Sequence, residues 1–232
     1  MMEHSKLSNL KVTAWLLSPL AGDPPALDAA LAWELSHRLG SKHERKVLRD
    51  TPLEELPRVP IPVAQRTING VDVYCCSNPI LPAPLAPDWV EHINKRIDTT
   101  QFALLLAPKE RKNLLITSGP YKMLHRPQRV RLIDRVCWFA RGNRREMSKL
   151  LKSVLAIGQH RGIGYGLVGY WDFEETEQDY SIFAPCHSKK ILMKTVPAGE
   201  DLQEVCGFRS SFGGIAAPYW HPENYREIAI PC

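Results

Sequence analysis

The residues best suited to chemistry lie together in the segment GQHRGIGYG, residues 158–166. Glycine has no side chain, so a run of glycines lets a ligand approach the backbone amides closely. Successive backbone amides bind anions, and Arg161 adds a positive charge beside them. The pattern predicts a loop that holds a phosphate or a sugar-phosphate backbone. Its predicted contact residues are His160, Arg161, Gly162, Gly164, Tyr165 and Gly166.

Two familiar glycine patterns do not fit this segment. Gly164, Gly166 and Gly169 match G-x-G-x-x-G, but the dinucleotide fingerprint needs a strand before the glycines and a helix after them. Here the order is reversed, because a helical pattern precedes the glycines and a strand pattern follows. No Lys-Ser or Lys-Thr pair follows them either, so the Walker A pattern also fails. A tight helix-to-strand turn remains the simple structural alternative.

The elements on either side of the loop must position it. Apolar residues recur at the helical period over residues 147–155, and the opposite face is basic. Asn143 and Glu146 form a capping-box pattern at the start of this helix, and Gly158 is predicted to end it. The following segment, LVGYWDF at 167–173, has the aromatic and β-branched content of a strand.

Positive charge is concentrated ahead of the loop. The formal net charge is only +5, but residues 109–152 carry 13 basic and three acidic residues, a balance of +10 that leaves −5 for the rest of the chain. Solvated helix faces account for part of this excess, but not for the arginines outside the helix. The asymmetry is typical of a protein that binds a polyanion. The basic residues predicted to contact it are Lys109, Arg111, Lys112, Lys122, Arg126, Arg129, Arg131, Arg144 and Arg145.

Composition sets broad limits on the class of protein. The chain has 232 residues and 44% hydrophobic content, which is ordinary for a globular protein. It has no run of eighteen apolar residues and no signal-peptide core at its start, so we expect a soluble intracellular protein without a membrane partner. The six cysteines include no C-x-x-C pair, and adjacent Cys75 and Cys76 would point to opposite faces of a strand. We therefore expect no metal site and no cofactor.

The first part of the chain contains three predicted elements. Leu10–Ser18 is an apolar run typical of a strand. A helix capped by Asp23 or Asp28 should follow and end at about Leu39, because leucines recur at every fourth position. Asn69–Gly70 lies between two strand-like segments and is a strong signal for a two-residue hairpin turn.

The middle and the end of the chain are less regular. Residues at about 77–128 are predicted to form an insertion, in which Asp88 is placed to cap the amphipathic segment WVEHINKRI. Residues 129–141 return to strand character and precede the capped helix. In residues 177–232 two short strands are expected, in YSIFAP and KILMKTVP, before an aromatic end that wraps over the domain.

These elements predict one α+β domain. Strand, helix, hairpin strands, insertion, strand, helix, glycine loop and strand give a ferredoxin-like (RRM-like) βαββαβ sandwich with a basic thumb-like insertion. Residues 1–176 would form this unit, and residues 177–232 would be a C-terminal extension of the same domain. Because this fold supports many functions, function has to be argued from the site.

Several motifs resemble one protein family. The segment QHRGIGYGLVGYW resembles the glycine-rich loop of the RAMP superfamily of CRISPR-associated proteins, RRM-like folds that bind CRISPR RNA. The segment PPALDAALAWEL resembles the Leu-Asp-x-x-Leu-Ala helix of that superfamily, matched at Leu27, Asp28, Leu31 and Ala32. Together with RLIDRVCWFARGNRREM and PYWHPENY, the chain is most similar to the small RAMP subunit of type IV CRISPR effector complexes.

The resemblance implies a non-catalytic subunit for antiviral defence in the cytoplasm of a prokaryote. Such a subunit holds the 5′ handle of the CRISPR guide RNA through the glycine loop and a basic thumb, here the Lys109–Arg131 insertion. The implied protein partners are the backbone RAMP subunit and the large subunit of the effector complex. A recruited helicase and target DNA are further candidates.

An enzyme is the main alternative, because some RAMP relatives are metal-independent endoribonucleases that process the repeat RNA. Such a cut needs a base, an acid and a cation on the phosphate. His37, His43, His160, Tyr165 and the lysines could contribute, but no spacing in the sequence brings them together. A plain RRM-like RNA binder is the third possibility, and no stretch matches the RNP aromatic pattern.

Overall fold

The fold is α+β, as predicted, and strands make up most of its regular structure. The structure is a computed structural model, and it describes residues 7–39, 52, 60–95, 124–187, 189–215, 219 and 221–232. In this described part there are two α-helices, α1 (Leu27–Leu39) and α2 (Arg144–Leu151).

The strands belong to several small sheets. In chain order the strands are β1 (Ser8–Leu16), β2 (Leu20–Ala21), β3 (Gln65–Ile68), β4 (Val71–Tyr74), β5 (Trp89–Lys95), β6 (Leu124–Arg131), β7 (Arg135–Gly142), β8 (Val168–Glu175), β9 (Phe183–Cys186), β10 (Lys189–Leu192), β11 (Val196–Pro197), β12 (Val205–Cys206), β13 (Phe208–Gly214) and β14 (Tyr225–Pro231). The predicted β3–β4 hairpin is confirmed, because Asn69 and Gly70 have φ of 46° and 75°, the positive values that a type I′ turn requires.

The central sheet has the order β7-β1-β8, and both pairings are antiparallel. An irregular segment, residues 75–80, adds to the outer side of β7. Ser77 donates its backbone N–H to Phe139 at 2.7 Å, and Ile80 donates to Cys137 at 2.8 Å. Four extended segments therefore lie side by side, with β1 between β7 and β8.

Both helices pack on this sheet. In the middle of β1, Leu10, Val12 and Ala14 are buried on one face of the strand, as alternation predicts. They join apolar side chains of both helices in one cluster: Leu10, Val12, Ala14, Leu27, Leu31, Met147, Leu150 and Leu151. Full burial of a leucine or methionine side chain contributes roughly 1.5 to 3 kcal/mol, so this cluster fixes the helices that flank the glycine loop.

The segment after Asp88 is a strand and not a capped helix, which corrects the sequence prediction. β5 pairs with β6 along its length, and its Trp, Val and Ile residues suit a strand. A helix of this length would have marginal stability by itself, whereas pairing with β6 gives hydrogen-bond partners to the backbone N–H and C=O groups of β5. Residues 96–123, which connect the two strands, lie outside the described residues. Among them are the predicted contact residues Lys109, Arg111, Lys112 and Lys122.

Residues 129–141 form parts of two strands in different sheets. β6 pairs with β2 and β5, whereas β7 pairs with β1. The chain changes sheets at residues 132–134, where the Asp134 carbonyl accepts a 2.8 Å hydrogen bond from the Leu16 amide. The strand character is confirmed, but the sequence did not indicate this break.

The predicted start of α2 is confirmed, and the predicted end is wrong. Asn143 accepts a hydrogen bond from the Glu146 amide at 3.2 Å. The helix ends at Leu151 and not at Gly158. After this end, Val154 is buried in the core while the neighbouring Leu155 is 68% exposed. A straight continuation of the helix would have buried both.

The C-terminal part of the chain consists of strands. β9, β10 and β12 form one sheet, and β11, β14 and β13 form another. The strand expected in YSIFAP is confirmed as β9, whereas the one expected in KILMKTVP is two short strands in different sheets, β10 and β11. The aromatic end includes a regular strand, β14, so it is more ordered than the wrapping segment that the sequence indicated. Pro218 and Trp220 lie outside the described residues.

A buried polar cluster fixes the start of α1. The Asp28 carboxylate is fully buried and accepts hydrogen bonds from Lys194 Nζ at 3.1 Å and from the Tyr219 hydroxyl at 2.5 Å. Lys194 is 1% exposed, and its Nζ also lies 3.5 Å from Cys76 Sγ. The cap predicted at Asp28 is wrong, because Asp28 lies inside the first turn of α1, where its carboxylate joins the helix to two segments far along the chain.

This cluster should make the protein sensitive to alkaline pH. Burial and the Asp28 carboxylate raise the pKa of the Cys76 thiol to about 12, and the same two causes raise the pKa of Tyr219. Burial lowers the pKa of Lys194, but the charges of Asp28 and Cys76 and the hydrogen bonds to them together more than offset this, so that pKa is also raised. All three groups therefore keep their protons in the folded state at pH values where the unfolded chain loses them.

The unfolding free energy should accordingly fall as the pH rises above about 9. Each group contributes a slope of roughly 1 kcal/mol per pH unit between its unfolded and folded pKa values. Urea unfolding measured from pH 7 to pH 11 is the appropriate experiment. A stability that stays constant up to pH 11 would contradict the burial of these groups.

Candidate nucleic-acid interface

The base of the glycine loop is held in place by backbone hydrogen bonds. Ala156 and Leu167 form an antiparallel bridge across it. The Ile157 amide donates to the Gly166 carbonyl at 2.9 Å, and the Gly166 amide donates to the Pro19 carbonyl at 2.8 Å. The two ends of the loop are thus fixed to each other and to the chain after β1. The residues between them, 160–165, form the tip.

The glycines of the loop have two different roles. A Cβ atom on Gly166 would lie 2.0 Å from the Ile157 carbonyl oxygen, and one on Gly158 would lie 2.7 Å from Leu20 Cδ1. These two glycines are required by packing. Gly162 and Gly164 face open space, since no atom of the described residues lies within 4 Å of their Cβ positions. Only these two match the predicted open backbone surface.

Aromatic side chains of α1 lie beside the tip of the loop. The guanidinium of Arg161 lies 4.7 Å from the centre of the Trp33 ring, a cation–π contact. The His37 ring lies 3.9 Å from the Trp33 ring. Trp33 is 40% exposed although it is large and apolar. Sequence analysis did not select Trp33, but its position away from the leucine stripe of α1 could have indicated it.

The β5–β6 hairpin lies on another side of the loop. The Tyr165 hydroxyl donates a hydrogen bond to the Glu91 carboxylate on β5. β2 connects the two parts through the backbone, because Ala21 accepts from the Gln159 amide at 2.8 Å and pairs with Val130 on β6. The loop and the hairpin therefore form one continuous surface.

The three arginines of β6 are not equivalent. Arg129 lies 2.6 Å from the Asp88 carboxylate, and Arg131 lies 3.3 Å from the same carboxylate. Arg131 is also largely covered, with 19% of its side chain exposed. Gln128 lies opposite Glu91 in the β5–β6 pairing, so these two side chains share one face of the sheet. Arg126 is two residues from Gln128 along β6, and alternation therefore places it on the same face as Glu91. Arg126 is exposed and extends the surface around Tyr165.

The exposed face of α2 continues the positive charge. Arg144, Arg145, Lys149 and Lys152 are all exposed and line a shallow groove of about 420 Å³. Arg38, at the end of α1, donates to the Lys149 carbonyl at 3.3 Å and to Ser153 Oγ at 2.7 Å. The end of α1, which carries Trp33 and His37 in its last two turns, thereby connects the basic face of α2 with Arg161.

The candidate catalytic residues within the described residues lie in α1 and in the glycine loop. His37 contacts the Trp33 carbonyl through Nδ1 at 3.0 Å. His160 has a positive φ of 55°, and its Nε2 is buried with no hydrogen-bond partner among the described residues. The hydrogen bond to Glu91 raises the pKa of Tyr165, so the phenol keeps its proton at neutral pH and little phenolate is available as a base. His43 lies outside the described residues.

The comparisons with known proteins do not identify a family. No protein-family model matches the chain, and no curated protein matches it significantly. In the described ranges, no helix is long and apolar enough to cross a bilayer. The same ranges contain no group of three or more His, Cys, Asp or Glu side chains arranged to hold a metal ion.

Proposed function

We propose that the protein is a non-catalytic RNA-binding subunit that holds the 5′ handle of a CRISPR guide RNA. The observation that carries this proposal is the glycine loop, whose base is fixed by hydrogen bonds while Gly162 and Gly164 expose their backbone. Arg161 and Trp33 lie beside these glycines and offer a charge and a stacking surface. Single-stranded RNA is bound by such phosphate and stacking contacts.

The order of the elements supports a ferredoxin-like fold and with it the RAMP resemblance. Six of the elements, taken in chain order, give the pattern βαββαβ: β1, α1, the 75–80 segment, β7, α2 and β8. In the sheet, the fourth strand lies beside the first, then the third, then the second, and all three of these pairings are antiparallel. In chain order, β5 and β6 come between the second and third strands of this sheet, where the basic thumb is expected.

The proposed partners follow from this role. The guide RNA would run along the loop and the β5–β6 hairpin, and the backbone RAMP subunit and the large subunit would complete a DNA-targeting effector complex. A recruited helicase and target DNA belong to the same proposal, as does a place in the cytoplasm of a prokaryote.

The endoribonuclease alternative has one observation in its favour. A non-glycine residue with positive φ is uncommon and is often found at functional sites, and His160 combines this conformation with an unpaired Nε2. We nevertheless expect the protein to leave repeat RNA intact, because no spacing in the sequence brings a second acid or base to His160. Specific cleavage that is lost on His160→Ala would establish the alternative.

Sequencing of the RNA that copurifies with the full chain, coexpressed with a CRISPR repeat array, tests the proposal. The RNA should share a constant 5′ end. Arg126→Ala should weaken binding and reduce the salt slope by about 0.7, the value for one phosphate contact on a single strand. Arg129→Ala is the matched control and should change less, since Asp88 already pairs with this arginine. Copurified RNA without a common end, or equal effects of the two variants, would contradict the proposal.

A further inference from the structure

Glu91 places a carboxylate beside a loop that is otherwise suited to anions. Its side chain is exposed on β5 and accepts the hydrogen bond from the Tyr165 hydroxyl. A carboxylate repels phosphate, so a nucleic-acid backbone that placed a phosphate against Glu91 would lose binding free energy. The group that fits there is neutral and donates a hydrogen bond.

A ribose hydroxyl meets both requirements. An ionised carboxylate only accepts hydrogen bonds, and its two oxygens allow it to hold two donors at once. Tyr165 occupies Oε2, which leaves Oε1 as an acceptor for a second hydroxyl. Deoxyribose has no 2′-hydroxyl, so single-stranded DNA would leave this carboxylate without a donor and close to phosphates.

We propose that Glu91 and Tyr165 form a subsite for the ribose 2′-hydroxyl, through which the protein selects RNA over single-stranded DNA. This inference rests on the proposed RNA-binding function. The phosphates on either side of this ribose would be held by the exposed Gly162 backbone and by Arg126, since the Gly164 amide already donates to the Arg161 carbonyl at 3.2 Å. Arg126 lies on the same face of the hairpin as Glu91, so a cation is available near the carboxylate.

The surrounding structure fixes the position of this carboxylate. Glu91 lies opposite Gln128 in the β5–β6 pairing, and Gln128 is buried and donates to the Arg129 carbonyl at 3.2 Å. The hydrogen bond from Tyr165 holds the carboxylate from the other side. Because Glu91 raises the pKa of Tyr165, the phenol keeps its proton at neutral pH and remains the donor.

A purely structural role is the competing explanation, in which the Tyr165–Glu91 hydrogen bond only ties the hairpin to the loop. Loss of such a tie would weaken binding of RNA and DNA in the same proportion. Loss of a ribose subsite would weaken RNA binding and leave DNA binding unchanged or stronger. The ratio of the two affinities therefore separates the explanations.

The experiment measures binding of the full chain to single-stranded RNA, to DNA of the same sequence, and to RNA with one 2′-deoxy nucleotide at each position in turn. The wild type should prefer RNA by about tenfold or more, the effect of one hydrogen bond to a charged group. One 2′-deoxy position should reproduce most of this loss. Glu91→Ala should abolish the preference, and Glu91→Gln, which keeps an acceptor oxygen, should retain part of it.

Glu227→Ala, at an exposed carboxylate on β14, is the control and should keep the wild-type ratio. Melting temperatures of all variants identify any that fail to fold. An unchanged RNA-to-DNA ratio in folded Glu91→Ala, or a wild type without preference, overturns the ribose subsite and leaves the proposed function standing. A wild type that binds neither RNA nor DNA overturns both.

Discussion

Replacement of Lys194 by methionine is expected to lower the free energy of unfolding by about 3 to 5 kcal/mol, the usual effect of removing one partner of a buried ion pair. Methionine has a similar length, so the loss comes from the charge and not from a cavity. Without the ammonium group, the Asp28 carboxylate would remain fully buried with the Tyr219 hydroxyl as its remaining side-chain donor from the described part of the chain. Urea unfolding of the purified variant measures this change.

Lys11→Met is the matched control. Lys11 also pairs with a carboxylate at 2.9 Å, but Lys11 and Glu174 have 35% and 55% of their side chains exposed. An exposed pair of this kind contributes less than about 1 kcal/mol. Asp28→Asn combined with Lys194→Met should be less destabilising than the sum of the two single changes, because the unpaired charge is gone. Equal losses for Lys194→Met and Lys11→Met would show that the buried pair does not exist.

Valine at Gly166 should destabilise the fold, whereas valine at Gly162 should not. At Gly166, the new side chain would meet the Ile157 carbonyl in a backbone conformation with φ of 61°. Left-handed strain of about 1 to 2 kcal/mol adds to overpacking of about 1 to 3 kcal/mol, so this variant should be poorly folded. At Gly162, the side chain would enter open space without a positive φ, so the melting temperature should change little.

RNA binding distinguishes the role of Gly162. If RNA approaches the exposed backbone, Gly162→Val should reduce affinity by about tenfold or more while the protein stays folded, since a β-branched side chain blocks that approach. Gly162→Ala should have an intermediate effect. Gly164 is a less informative position, because its φ of 99° would strain any side chain. A Gly162→Val variant that melts like wild type and retains its RNA would reduce the loop to a structural turn.

The elements that sequence predicted correctly are those with local causes. The leucine spacing of α1, the Asn69–Gly70 turn and the Asn143 cap each depend on residues within a few positions of one another. Sequence also selected the glycine loop, since its composition is unusual over a short stretch. It could not separate the two glycines that packing requires from the two that face open space, because the atoms that decide this belong to other segments.

Tertiary structure decided the remaining features, because each joins residues that are distant in the chain. Glu91 has the local sequence of an amphipathic helix but lies in a strand paired with β6, and only this pairing brings it to Tyr165. Lys194 has no distinguishing local pattern, yet it is buried against Asp28. Periodicity reports which face of an element is apolar, whereas the partner of a charged side chain depends on how the elements pack. Sequence by itself therefore located the glycine loop and the local elements around it. Packing determined which charged side chains are paired with one another and which remain available to bind a ligand.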